Sequence, residues 1–143
     1  MKILILNGPN LNMLGKREVD VYGLSSAEAL EAQVKSYAQN LGIDVDFFQS
    51  NFEGEVITAI HQAPEQCAGL IINPGAWTHY NLAIRDALAC IDIPKIEVHL
   101  SNIHNREPFR AESVTASVCT GQVSGLGIQS YMVALQYFHN QTV

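Results

Sequence analysis

Lys2-Ile3-Leu4-Ile5-Leu6-Asn7 is the stretch that decides the fold, and the loop Gly8-Pro9-Asn10 follows it directly. A continuous run of Ile and Leu is typical of a strand buried on both faces, as in a parallel sheet covered by helices. The same order, a short apolar run, then a loop, then a helical pattern, recurs along the chain. This alternation predicts an α/β fold in which helices sandwich a parallel sheet.

The sequence predicts a single domain, residues 1–143, with a flavodoxin-like three-layer sandwich and a five-stranded parallel sheet. A capping box, Ser25-Ser26-Ala27-Glu28, opens the first helix, and Gly42 is its stop signal. Pro64 is expected to break the second helix, and Thr78 is expected to cap the third. The predicted strands are 2–7, 43–49, 68–73 and 95–99 with a weaker one within 117–124, and the predicted helices are 25–41, 54–62, 78–91 and 128–140.

Composition excludes several classes of protein. The chain has 143 residues, of which 48% are hydrophobic and 15% charged, and this suits one compact domain. A net charge of -6 disfavours nucleic-acid binding, which usually needs a basic face. No apolar run approaches the ~20 residues that span a membrane. Three cysteines without CxxC spacing and the absence of a signal-peptide pattern at the N-terminus favour a reducing, cytoplasmic location.

Polar residues follow three of the predicted strands. They form the segments 7–12 (NGPNLN), 73–75 (NPG) and 99–102 (HLSN). Doubly wound sheets bind their ligands at the carboxyl ends of the strands. The three segments are therefore expected to converge on one polar pocket.

The loop 8–23 is long for a compact domain, and it contains Lys16, Arg17 and Tyr22. It is either a lid over the pocket or an ordinary solvated loop. A tyrosine acts as a base only if a nearby cation lowers its pKa from ~10, and Arg17 is such a cation five residues before Tyr22. The Arg-x4-Tyr pattern is by itself a weak signal.

Glu97 and His99 lie two residues apart and therefore share one face of a strand. The carboxylate can orient the imidazole and hold its protonated form, as a general acid requires, although a surface histidine in a turn is the plain alternative. His79 either donates to a substrate oxygen or helps to cap a helix. His104 is ambiguous, and His61 and His139 are interpreted as structural.

Metal and nucleotide binding are both disfavoured. Glu97, His99, His104 and Asp86 could supply metal ligands, but the chain has no HxH or HExxH motif, and we predict no metal site. No phosphate-binding GxxxxGK[ST] loop is present. The sequence 125–127 (GLG) lies too near the C-terminus for a dinucleotide fingerprint, and its glycines are expected to let the last strand and helix pack closely.

Several motifs together resemble the type II 3-dehydroquinate dehydratases. They run through the whole chain in order. They are 8–18 (GPNLNMLGKRE) with Tyr22-Gly23, 72–76 (INPGA) with Thr78-His79 and Asp86, 97–103 (EVHLSNI), 106–110 (REPFR) and 125–127 (GLG).

The resemblance implies a lyase that dehydrates 3-dehydroquinate to 3-dehydroshikimate through an enolate, in the shikimate pathway or in quinate catabolism, without a cofactor. It implies that Tyr22 is the base, that Arg17 depresses its pKa, and that His99 is the acid. By the same resemblance, Asn10 helps to hold the water or oxygen at which enolate charge develops, and Glu97 orients His99. The substrate carboxylate is bound by Asn73 with the N–H groups of Leu100 and Ser101. The hydroxyls are bound by His79, Asp86 and Arg110, and Arg106 braces the pocket.

Two further expectations follow from the resemblance. Val19 stands where the family usually has Pro, and the extra freedom of φ predicts a more mobile lid. The family assembles as dodecamers of trimers in which a neighbour's Asp reaches each site, so Asp86 is expected to act in a homo-oligomer. The alternative from another class is a non-catalytic flavodoxin-like module that binds a small anion or a nucleotide.

Overall fold

A parallel sheet forms the middle layer of the protein, whose computed structural model describes residues 1–16, 20 and 25–142. Within these residues the sheet has five strands in the order β2-β1-β3-β4-β5, the flavodoxin-like order that the alternating pattern predicts. The strands are β1 (Lys2–Asn7), β2 (Asp44–Gln49), β3 (Gly69–Asn73), β4 (Lys95–His99) and β5 (Gly121–Ser124).

Two helices of the described part of the chain cover each face of the sheet. The helices are α1 (Ala27–Asn40), α2 (Glu53–Gln66), α3 (Leu82–Ala89) and α4 (Gln129–Gln141). Alternate residues of the strands point to opposite faces, so Ile3 and Ile5 pack with α1 and α4, whereas Leu6 packs with α2 and α3. β1, β3 and β4 are thus largely buried on both faces, as the run at residues 2–7 predicts. None of the described helices is both long enough and apolar enough to cross a membrane.

Two predicted helix boundaries are wrong. The second helix continues through Pro64 to Gln66. The proline removes one backbone donor near the end of the helix, while the buried Ala63 keeps this turn against the core, and the N–H of Cys67 bonds to the carbonyl of Ala63 at 2.8 Å.

Thr78 does not cap the third helix. The cap is Asn81, whose Oδ1 accepts from the N–H of Ile84 at 2.9 Å, and the helix begins at Leu82. Thr78 lies in the preceding short 3-10 turn, Gly75–His79, where it is fully buried. Its hydroxyl bonds to Glu97 instead, which connects this turn to the functional site.

Candidate active site

A small polar cleft lies at the carboxyl ends of β1, β3 and β4, where the three strand-end segments were expected to meet. Its volume is about 140 Å³, well below the ~300–1,000 Å³ of pockets for drug-sized ligands, so it suits a small molecule. Gly8 lets two of the loops close on each other, because a Cβ there would lie 2.6 Å from the carbonyl oxygen of Pro74. The described lining consists of Pro9, Asn10, Leu11, Leu14, Asn73, Gly75, Ala76, His79, His99, Leu100, Ser101, Ile103, Arg106 and Arg110.

Glu97 and His99 form a buried hydrogen-bonded pair at the floor of this cleft. The Nε2 of His99 lies 2.6 Å from Oε1 of Glu97, and the two residues are 5% and 0% exposed. The period of two along β4 predicted this contact, and the structure confirms it. Since Nε2 donates to the carboxylate, Nδ1 is the ring nitrogen left for chemistry, and no described residue bonds to it.

Hydroxyl groups surround the Glu97 carboxylate. Thr78 donates to Oε1 and Thr115 donates to Oε2, each at 2.6 Å, and Ser113 donates to Oε1 at 2.9 Å. Gln122 adds an N–H donor to Oε1 at 3.0 Å. Burial by itself would raise the pKa of Glu97, but the hydrogen bonds from His99, Thr115 and Thr78 outweigh it and lower the pKa to about 2. Glu97 is therefore a permanent carboxylate at neutral pH.

The segment after β5 holds the backbone of His99 in place. The Ser130 hydroxyl donates to the carbonyl of His99 at 2.9 Å, and the N–H of Gly127 donates to the carbonyl of Leu100 at 2.9 Å. Gly125 has a φ of +89°, and a Cβ there would lie 3.0 Å from the Cβ of Asn102. The prediction that the glycines at 125–127 let the last strand and helix pack closely is wrong, because Gly125 approaches the loop after β4 and a Cβ on Gly127 would meet no atom within 4 Å. The segment instead fixes the loop that follows His99.

His79 lines the cleft with its tautomer set by the backbone. Its Nδ1 lies 2.7 Å from the carbonyl oxygen of Glu112, which can only accept, so Nδ1 carries the proton. Burial lowers the pKa of His79, although this hydrogen bond opposes the shift. The neutral ring then presents Nε2 as an acceptor, suited to a substrate hydroxyl, so the prediction that His79 donates to a substrate oxygen is wrong for this tautomer.

Two arginines supply positive charge to the cleft. The Nε of Arg110 donates to Oε2 of Glu107 at 2.9 Å, and its guanidinium stacks on the ring of Phe109. Arg106 extends from the same loop, and its Nη1 lies 3.5 Å from the hydroxyl of Ser101. With the N–H groups that follow β4, these cations make the cleft suitable for a carboxylate.

Asn10 borders the cleft in a strained conformation. Its φ of +67° lies in the left-handed region, which asparagine tolerates better than most residues. Its N–H donates to Oδ1 of Asn51 at 2.9 Å, and Gln49 also donates to that oxygen at 3.2 Å. The loop from β2 to α2 therefore holds Asn10 at the cleft.

Several predicted residues are not brought to the cleft by the described part of the chain. Arg17, Val19 and Tyr22 lie outside the described residues. Asp86 is exposed on α3 and is not among the lining side chains. His104 and His61 are also exposed. His139 has a structural role, as interpreted from the sequence, because its Nδ1 bonds to the carbonyl of Leu41 at 3.1 Å. The described residues contain no cluster of three metal-ligating side chains.

Sequence reasoning missed four residues that support the site. Three of them, Ser113, Thr115 and Gln122, bond to Glu97, and the fourth, Tyr131, bonds to Asn73. Ser113 and Thr115 lie two residues apart in the segment before β5, and this spacing is the only local signal in the sequence for their role. Tyr131 lies on the apolar face of a helix, where a polar tip implies a buried partner but does not identify it.

A larger groove, about 790 Å³, lies between β2 and α2 at a distance from this cleft. Its described lining includes Asp46 and Glu55 but no arginine, lysine or histidine. It therefore lacks the cations that an acidic ligand requires.

The fold and the cleft together define a class of protein, a doubly wound α/β protein with an arginine-lined cleft at the strand ends and a buried carboxylate–histidine pair. A profile of the family described as Dehydroquinase class II matches residues 1–139. A 3-dehydroquinate dehydratase of Bacillus cereus (strain AH187) is 57% identical over 134 residues, which are 94% of this chain and 92% of that protein. One from Thermotoga maritima is 53% identical over 137 residues, 96% and 94% of the two chains. The crystal structure of a type II dehydroquinase from Propionibacterium acnes has a TM-score of 0.94 and 45% identity, covering 97% of this chain and 96% of that one.

The chain therefore belongs to the class II dehydroquinase family. It is an enzyme, a type II 3-dehydroquinate dehydratase of the lyase class, and not a non-catalytic binding module.

Proposed function

We propose that this enzyme removes water from 3-dehydroquinate by elimination through an enolate and releases 3-dehydroshikimate, with Tyr22 as the base and His99 as the acid. The proton beside the ketone leaves first, and the hydroxyl leaves from the resulting enolate as water. The observation that carries the proposal is the Glu97–His99 pair at the floor of a cationic cleft. This arrangement offers a proton donor beside a site for an acidic ring molecule.

The base is assigned through the family resemblance. A proton beside a ketone needs a base that is ionised near neutral pH, and a tyrosine meets this need when a cation stabilises its anion. Arg17 is the cation proposed for Tyr22. Asn10 is proposed to hold the water or oxygen at which the enolate charge develops.

The acid is His99. Glu97 holds Nε2 of His99, and the ionised carboxylate stabilises the imidazolium that must donate a proton to the departing hydroxyl. Nδ1 is then the nitrogen from which the proton leaves. Because four further donors hold the carboxylate, the ring has one orientation from which to act.

The remaining lining residues bind the substrate in this proposal. Asn73 and the N–H groups of Leu100 and Ser101 bind the carboxylate, and His79 and Arg110 bind ring hydroxyls. Arg106 braces the pocket through Ser101. No step requires a metal or an organic cofactor.

The test is turnover of 3-dehydroquinate by the purified protein after treatment with a chelator. The product has a carbonyl conjugated to a carbon–carbon double bond, so ultraviolet absorbance is expected to rise with time. The same preparation with quinate, which has no ketone to stabilise a carbanion, is expected to give no rise. An intact protein that produces no absorbance from 3-dehydroquinate would contradict the proposal.

We further propose that the protein forms a homo-oligomer built from trimers, a dodecamer by analogy with its family. In this oligomer Asp86 binds the substrate of a neighbouring subunit. Asp86 is exposed on α3 and outside the cleft of its own chain, which supports action in trans. Asp86→Ala and His99→Asn subunits are each expected to be nearly inactive when expressed alone. Co-expressed, they are expected to regain activity in up to about a quarter of sites, those with both an intact His99 and an intact neighbouring Asp86.

The complementation experiment has clear adverse outcomes. Hybrid oligomers that are no more active than the two parents would show that Asp86 does not act in trans. A fully active Asp86→Ala homo-oligomer would remove Asp86 from the site. Co-purification of the two variants through different affinity tags confirms that mixed oligomers have formed.

A further inference from the structure

Two asparagines end neighbouring strands of the sheet and meet the same tyrosine. Asn7 and Asn73 are register partners at the ends of β1 and β3, and they are 6% and 3% exposed. Both lie on the sheet face that packs against α4, where Tyr131 is completely buried. The Tyr131 hydroxyl lies 2.7 Å from Oδ1 of Asn7 and 3.0 Å from Nδ2 of Asn73.

The hydrogen bonds of this group have only one consistent direction. The backbone N–H of Gly75 can only donate, and it lies 3.1 Å from the Asn73 amide, so that end of the amide is Oδ1. Nδ2 of Asn73 then faces Tyr131 and donates to its oxygen. The phenol has one proton, which must go to Asn7, and Oδ1 of Asn7 accepts it.

This chain of bonds determines what Asn73 offers to a ligand. One N–H of Nδ2 is used by Tyr131, and the other remains. Asn73 is among the residues that line the cleft, so the remaining N–H is the donor that it presents there. If the amide rotated by 180°, it would lose its bonds to both Tyr131 and Gly75 and would present an oxygen to the ligand.

We propose that Tyr131 is a positioning residue for substrate binding, whose hydroxyl, held by Asn7, fixes the Asn73 amide with an N–H toward the substrate carboxylate. The inference rests on the proposed function, because it assumes that the ligand of the cleft is an anionic acid. Tyr131 touches no substrate and acts only through Asn73. Burial raises the pKa of Tyr131 well above its usual range, although the Asn73 bond opposes this, so the phenol keeps its proton and remains a donor to Asn7.

If Tyr131 merely fills the core, a different outcome is expected. Removing its hydroxyl would then lower the melting temperature and leave the affinity for substrate unchanged. The proposal predicts a loss of affinity that depends on Asn73. A double-mutant cycle between Tyr131 and Asn73 separates the two.

The experiment measures KM and kcat for 3-dehydroquinate with Tyr131→Phe, Asn73→Ala and the double variant. KM is expected to rise about tenfold in Tyr131→Phe with kcat within about twofold of the parent, because a ground-state contact is weakened. In the Asn73→Ala background, Tyr131→Phe is expected to leave KM unchanged. The inhibition constant of the product, which keeps the carboxylate, is expected to rise by the same factor as KM.

Tyr37→Phe is the matched control. It removes a hydroxyl that donates to Gln136 of α4 at 3.3 Å, away from the cleft, and KM is expected to stay at the parental value. Asn7→Leu removes the acceptor while Tyr131 stays in place, and it is expected to raise KM as Tyr131→Phe does. This second variant keeps the test valid if Tyr131→Phe does not fold.

An unchanged KM in both Tyr131→Phe and Asn7→Leu would overturn the proposal. It would also be overturned if Tyr131→Phe raised KM by the same factor in the parent and in the Asn73→Ala background. Failure of the proposed function gives a different result, because the parent enzyme would then not turn over 3-dehydroquinate. In that case the affinity for quinate, a ring acid with the same carboxylate, is measured by calorimetry for the same variants. Equal affinity of parent and Tyr131→Phe for quinate would overturn the inference.

Discussion

Tyr22→Phe is expected to lower kcat by roughly 10²–10⁴-fold, the range typical for removing a general base. Phenylalanine keeps the ring but has no oxygen to take the proton beside the ketone. Because the loss concerns proton transfer, kcat should fall far more than KM changes. Steady-state rates from the absorbance of the product measure both constants.

Tyr80→Phe is the control for this substitution. Tyr80 is 65% exposed, directly after the turn Gly75–His79, and no proposed step uses its hydroxyl. We expect parental rates from it. If Tyr22→Phe keeps substantial turnover while the circular dichroism spectrum stays parental, the base is another group and the assignment of Tyr22 is wrong.

The fold was predictable because its determinants are local. The buried run at residues 2–7 and the stop at Gly42 each act within a few residues. The predicted capping box at 25–28 is one residue out, because the N-cap is Ser26, whose hydroxyl accepts from the N–H of Ala29. Pro64 shows the limit of local rules, since a proline in the last turn costs one hydrogen bond and tertiary packing of Ala63 preserves the helix.

The site likewise has a part that local sequence predicts and a part that it does not. Glu97 and His99 were predictable as a pair because two residues of one strand share a face. The groups that hold them come from far along the chain: Ser113 is 16 residues from Glu97, and Gln122 is 25 residues from it. Tyr131 lies 124 residues from Asn7. Such contacts depend on the packing of helices on the sheet, and no periodicity in the sequence records them.

Thr78 illustrates why a correct residue can be given the wrong role. A threonine before a helical pattern satisfies the rule for an N-cap, and Asn81 three residues later satisfies it equally well. The buried carboxylate of Glu97 decides between them, because an ionised group that is removed from water must be surrounded by donors. The hydroxyl of Thr78 is one of those donors, and Asn81 is left to cap α3.

The second large effect is expected at the pair formed by Glu97 and His99. His99→Asn removes the proposed acid and should lower kcat by roughly 10²–10⁴-fold. Glu97→Gln leaves the ring but replaces the charged acceptor by an amide, so a smaller loss of kcat is expected. If Glu97 acts only through His99, the double variant should be no slower than His99→Asn. His61→Asn, an exposed substitution on α2, is expected to retain the parental rate.

Stability in acid gives Glu97 a second, independent readout. The folded protein lowers the pKa of Glu97 from 4.5 to about 2, so the folded state favours the ionised form. The resulting stabilisation is fully present above pH 4.5 and is lost as the pH falls toward 2, and it amounts to something on the order of 3 kcal/mol. Glu97→Gln should therefore show a free energy of unfolding that falls less steeply between pH 5 and pH 2, as measured by urea denaturation at each pH. Parallel curves of unfolding free energy against pH for parent and variant would mean that the donors around Glu97 do not stabilise its ionised form. Additive losses of kcat in the double-mutant cycle would mean that Glu97 does not act through His99.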